Sequence, residues 1–193
     1  MGILQSKSEG YWSYFLALER DLETLSRYVQ FTTENITTYS VEMARILLSA
    51  GSEADVLLKV ICRRLDPSKK PASINAYFEI VSGKCPNLLE FEATLPRWGI
   101  HVRPWETWAK ASSPDWWKSH NKVKHHREEH FSRANLLRTI ESVAAVYVLN
   151  LYANPQAAKE GSLIPMPVLF RPGPPHVAGT TFGDFEMGIN YVL

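Results

Sequence analysis

The residue types that could do chemistry crowd into one stretch, from Asp115 to His130. Four of the chain's six histidines lie in it: His120, His125, His126 and His130. Lys118, Lys122, Lys124 and Arg127 set positive charge against Asp115, Glu128 and Glu129. An imidazole titrates near neutral pH, so a histidine among cations suits acid–base work on a phosphate ester whose charge the cations steady. His125 is the candidate base or acid. Asn121, one helical turn earlier, could orient the ring or bond a phosphate, and Glu53, from a distant helix, could fix its tautomer. Lys118, Lys122, Lys124 and Arg127 are the candidate ligand-binding residues. The plain alternative is a solvated basic helix end with Glu53 paired to Lys118 or Lys122.

Other chemistries are poorly served. His126 and His130 stand four apart, a spacing that suits a divalent cation. No Glu follows His126 in the zincin order and no Cys or Asp lies close in sequence, so a solvated pair and no metal are expected. Trp105, Trp108, Trp116 and Trp117 precede the basic run and could stack bases, although packing the neighbouring hairpin against the helices is the simpler use. A Gly-rich phosphate loop and a serine-hydrolase elbow are both absent from the sequence. Cys62 falls between core positions and Cys85 in a turn, neither with an activating neighbour. No cofactor is expected.

The elements that would carry these groups are mostly helical. Pro114 suits a first helical turn, with Ser112 or Ser113 as cap. No Pro or Gly occurs between Asp115 and Asn154, which predicts one long helix. Leu136, Ile140, Val143, Tyr147 and Leu151 form its core stripe. The same stripe runs back through Glu129, His125, Lys122 and Lys118, so a buried face turns basic and needs polar partners. Tyr11 to Val29 reads as a helix with Phe15, Leu18, Leu22 and Leu25 inside and Glu19, Arg20 and Glu23 opposite. Tyr39 to Leu65 reads as a longer one, with Glu53 on the flank of its stripe and Gly51 marking a close contact or a weak point. Ser73 to Val81 makes a short third helix. Leu89–Leu95 and Ile100–Arg103 alternate across Pro96–Gly99 and predict a small β-hairpin.

Six of the twelve prolines lie from Pro155 onward. They predict an extended arm, with Ile189–Leu193 apolar enough to dock on the body. The expected organisation is a tail at 1–10, a helical bundle at 11–154 and an arm packing on it at 155–193. With 193 residues, 45% hydrophobic, 21% charged and a net charge of +1, the chain can bury a real core, and only the local run is basic. Two cysteines make no disulfide framework, and no stretch reads as a membrane span or secretory leader, so a cytoplasmic protein is expected. Met1-Gly2 through Ser6 fits a loose myristoylation pattern, and Asn35-Ile36-Thr37 a glycosylation acceptor without a leader; neither is given weight.

Three segments carry a likeness. Tyr39–Leu48, Ser52–Lys59 and Trp117-Lys118 with Asn121-Lys-Val-Lys-His-His-Arg127 resemble the HEPN superfamily, over roughly Tyr11 to Ala153. That resemblance implies a mainly α, up-and-down bundle, here with a small inserted hairpin and a Pro-rich arm. It implies binding of RNA or a nucleotide, and metal-independent RNA cleavage through the RNA's own 2′-hydroxyl, in a defence or toxin-like system. A homodimer and an antitoxin-like protein are the implied partners. The usual HEPN signature, an Arg followed after four to six residues by a His at the start of the last core helix, is missing there: Arg127 precedes His130 by three and Arg133 has no His after it in the bundle. A non-catalytic helical interaction module is the alternative.

Overall fold

In the computed structural model, which describes residues 10–110, 112–182 and 187–193, the chain opens with helix α1 (Gly10–Leu25). The tail expected at 1–10 lies almost wholly outside the described residues. Trp12, Phe15, Leu18, Leu22 and Leu25 recur at three- and four-residue steps and are buried. Glu19, expected on the solvent side, is buried as well. Its carboxylate accepts the N–H groups of Val168, Leu169 and Phe170 at 2.9, 2.8 and 3.0 Å. Burial raises its pKa, and those three bonds oppose the rise. The arm is thus pinned to α1 by one carboxylate. Trp12 adds a bond from its indole N–H to the Pro165 carbonyl at 3.0 Å.

Ser40 caps α2 (Val41–Leu65), accepting the Met43 N–H at 3.1 Å. Ser73 caps α3 (Ile74–Lys84) in the same way. Tyr77 of α3 donates to Asp55 of α2 at 2.8 Å, which fixes the two helices together. A short α4 (Pro86–Glu90) takes up the start of the predicted first strand, so β1 is only Ala93–Leu95. It pairs antiparallel with β2 (Ile100–Val102), Ala93 opposite Val102 and Leu95 opposite Ile100. Gly99 makes the turn at φ 62, a left-handed conformation that favours glycine. Around α5 (Glu106–Ala109), Trp105 packs tilted on Trp108 and edge-on to Trp116 in one buried cluster, with ring centroids 4.8 and 5.2 Å apart. The tryptophans pack the hairpin region on the bundle rather than face solvent.

The predicted single helix from Asp115 to Asn154 does not form. It divides into α6 (Asp115–His125), a short α7 (Arg127–His130) and α8 (Leu136–Ala153). His126 breaks the first at φ −141, ψ 49. Asn135 starts the last, its side chain accepting the Arg138 N–H at 3.1 Å. The first N–H groups of α8 go to the loop before α2, Leu136 to Thr38 at 2.9 Å and Leu137 to Ile36 at 3.1 Å. A continuous helix would have used them internally. The break also lets Phe131 meet Tyr39 edge-on and buries Ala134 against Ala44 and Leu47. Neither Ser112 nor Ser113 caps α6; Pro114 holds that position.

α8 is the central element, every residue from Ser142 to Tyr152 being buried, and its most extensive partner is α2. Contrary to the expectation that no stretch reads as a membrane span, it is apolar and long enough to cross a bilayer, yet 78% of it is buried inside the fold. Beyond α9 (Pro155–Glu160) the arm is more ordered than predicted. β3 (Arg171–Pro172) adds to the hairpin sheet in the order β2-β1-β3, and β4 (Val177–Phe182) pairs antiparallel with β5 (Met187–Tyr191). Ile189 and Tyr191 dock as expected, and Tyr147 of α8 donates to the Tyr191 hydroxyl at 3.2 Å. The fold is mainly helical with small antiparallel sheets.

Candidate functional site

α6 buries Trp116, Trp117, Ser119, His120 and Val123 and exposes Asn121, Lys122, Lys124 and His125. The imidazole that points into the bundle is therefore His120, not His125. Its ring lies directly on the backbone of α2. A Cβ built on Gly51 would stand 2.3 Å from the ring's Cδ2, so only a glycine leaves room. Trp117 flanks it at 5.7 Å between ring centroids. The residue is 4% exposed and neither ring nitrogen has a hydrogen-bond partner. Burial pulls its pKa down to about 4, and the Lys124 and His125 charges add to this. The Asn121 amide and Asp55 carboxylate oppose the shift, without reaching a sound hydrogen-bond geometry. At neutral pH His120 is an uncharged packing group.

His125 ends α6 in solvent. The reversal at His126 sets Lys124, His125, His126 and Arg127 around a cleft of about 550 Å³, floored by Leu48 and Val123 and edged by Glu128 and Glu129. Lys124, His125 and Arg127 are thus brought together. Asn121 and Lys122 stay on the outer face of α6 next to them. Lys118 does not join them. It sits nearly two turns back, donating to Ser112 Oγ at 3.0 Å and to Asp115 at 3.3 Å. Among the described residues, Lys122, Lys124 and Arg127 form no ion pair. The His126 and His130 rings stand 6.4 Å apart, and among the described residues no set of three metal-ligating side chains forms.

Glu53 is a correction to the pocket expected between the two helices. It is buried, 9% exposed, and its Oε1 has no partner. Burial raises its pKa. At ~100° per residue it lies roughly 200° around α2 from Gly51, on the flank away from α6. It orients neither His125 nor His120, and pairs with neither Lys118 nor Lys122. The inward basic stripe expected from Lys118 through Glu129 fails for one reason: the chain turns at His126, so the α8 register does not extend into α6.

Two further hollows adjoin this region. A trough of about 700 Å³ runs beside the elbow, walled by Val41, Ala44, Leu48 and Phe131 with Arg45, Arg127 and Glu128 at its rim. Val41, the first residue of α2, is 76% exposed there. A cleft of about 720 Å³ lies between the Phe31–Trp98 stack and Leu136, Leu137 and Ile140. Most of its charged groups are already paired: His101 and Arg103 with Glu92, Glu106 with Lys110, and Glu141 with Arg138. The elbow differs in having cations without partners. Sequence reasoning missed the His120–Gly51 seam, although a mid-helix glycine was its signal. It also missed the helix restart, for which Asn135 ahead of an apolar run was the cue.

Compared with family models, with curated proteins and with solved structures, the chain finds no match in any of the three.

Proposed function

We propose that this chain is a HEPN-like bundle that binds RNA or a nucleotide through the elbow between α6 and α7. One observation carries the reading: Lys122, Lys124 and Arg127 are exposed, unpaired and grouped beside a cleft that also holds His125. Phosphate groups supply the missing negative charge, and neutralising them releases counterions, which makes such binding salt-dependent. If the same surface cleaves RNA, His125 does the proton transfer with Lys124 and Arg127 steadying the phosphate. It does so without help from Glu53, which lies on another flank of α2.

A second reading rests on the trough. An apolar hollow with an exposed valine at its edge is how a protein-docking surface looks. On that reading the chain is a non-catalytic interaction module, pairing with a second copy or with an antitoxin-like protein in a defence or toxin-like system.

Labelled single-stranded RNA, titrated in EDTA across several salt concentrations, tests both. The first reading expects binding whose salt slope falls by about 1.4 when Lys124→Ala and Arg127→Ala are combined, two phosphate contacts being lost. Cleavage is assigned only if His125→Ala abolishes it. RNA binding that is absent, or that ignores salt and both substitutions, removes this reading. A concentration-dependent dimer in sedimentation, dissociated by Val41→Asp, would then favour the second.

A further inference from the structure

We infer that a separate small cleft at the opposite end of α2 binds a phosphate-type oxyanion. Arg64, at its edge, stands roughly 24 Å along α2 from Leu48 of the elbow by helical rise. The cleft encloses about 200 Å³ where the ends of α2, α3 and α8 meet α9. Arg64, Lys84 and Lys159 line it, and no acidic side chain does. Among the described residues none of the three cations forms an ion pair. Asp66 feels the Lys84 charge, but its carboxylate is engaged by Ser68 and stays beyond pairing distance.

A second observation is independent of the charges. Tyr152 lines the same cleft, is 4% exposed, and its hydroxyl is closed off from solvent without a hydrogen-bond partner. Burial keeps that hydroxyl protonated, so it is an unmet donor, and an unmet buried donor is costly. Arg64 donates to the carbonyls of Tyr152 and Ala153, and Lys84 to that of Leu65. These bonds cap helix ends and also hold both cations in place, with further N–H donors left over. Capping explains neither Lys159 nor Tyr152.

Arg64, Lys84 and Lys159 give the cleft a positive lining, with the Asn87 amide beside them. Several N–H groups on three cations call for a ligand with several acceptor oxygens and a double negative charge, which a phosphate or phosphomonoester supplies and chloride does not. The volume admits the tetrahedral group, leaving any ester substituent to project outward. Cys85 forms part of the wall, and burial raises its pKa, so it stays a neutral thiol and does not compete as an anion.

The full chain should be titrated with inorganic phosphate at constant ionic strength, against sodium chloride, by calorimetry and by Tm. Saturable binding is expected, weakened about tenfold or more in the Lys84→Met, Lys159→Met pair. Both lysines are exposed, so the pair is expected to fold and carries the test. The elbow variant with Lys124→Ala and Arg127→Ala should bind phosphate unchanged, which separates this site from the elbow. Phenyl phosphate as a second probe tells the source: equal affinity supports an ester ligand, and rejection supports free phosphate. No saturation above chloride, wild-type affinity in the lysine pair, or loss of binding in the elbow variant would each overturn the assignment.

Discussion

Acid should loosen the contact between α2 and α6 through His120. A free histidine titrates near 6.5; in the fold this one titrates at about 4. The unfolded chain therefore takes up a proton at a pH where the folded chain does not. The stability that the neutral ring contributes is whole above pH 6.5, declines as pH falls from 6.5 to 4, and is fully lost below 4. Linkage sets the loss at about 2 kcal/mol between pH 7.5 and pH 5, rising to about 3 kcal/mol below pH 4. With the ring 4% exposed, solvent screens little of this. The charged groups acting on it are Lys124 and His125 on α6, which repel a proton, and Asp55 on α2, which attracts one.

Urea unfolding of the wild type and of His120→Leu, from pH 7.5 to 5, reads the effect. Carboxylates held low by ion pairs, such as Glu42 and Glu92, also lose stability in acid. They do so in both proteins, so the difference between the two curves isolates the imidazole. Parallel pH profiles would refute the reasoning. So would an NMR titration of the His120 ring with its midpoint near 6.5, because a buried ring without partners cannot charge that easily.

The same seam gives a steric prediction: Gly51→Ala should destabilise by about 1–3 kcal/mol despite the better helix propensity of alanine, and His120→Ala should relieve most of it in a double-mutant cycle. Asn135→Ala should cost about 1 kcal/mol in urea unfolding, since it removes the cap that restarts the chain at α8. Glu19→Ala should cost about 3 kcal/mol or more, because three N–H groups lose a charged acceptor. Limited proteolysis would then cut first within 161–170, the segment that Glu19 holds; unchanged cleavage in that segment would mean the arm is fixed by other contacts.

The amphipathic helices were legible because their spacing is a local property. Phe15, Leu18 and Leu22 announce α1, and Ser73 announces the start of α3. The hairpin was legible from alternation around Gly99, though only three residues of each strand survive packing. What could not be read was where long-range bonds override a local pattern. Glu19 sits at a position that reads as polar surface and is buried because the arm brings three N–H groups to it. No periodicity contains that information, since Val168 is 149 positions away. The same holds at His126. No Pro or Gly in the run from Asp115 to Asn154 forbids a helix, and the restart after Asn135 is fixed by the Thr38 and Ile36 carbonyls that take the first N–H groups of α8.

That break decides what the histidines can do. Had the helix continued straight, the α8 stripe would have carried His125 and Lys122 inward, where each charge would need a buried partner. Turning at His126 exchanges the faces: His120 goes inside and loses its charge, while Lys122, Lys124 and Arg127 stay in water and keep theirs, with His125 beside them. A buried histidine without partners contributes packing and an acid-sensitive seam. An exposed basic corner contributes attraction for anions, at a strength that salt controls. The proposed binding and the predicted acid sensitivity therefore come from opposite sides of one eleven-residue helix. Substitutions on one side should leave the other measurement unmoved: His120→Leu should not change the salt slope for RNA, and Lys124→Ala with Arg127→Ala should leave most of the acid-induced loss in place.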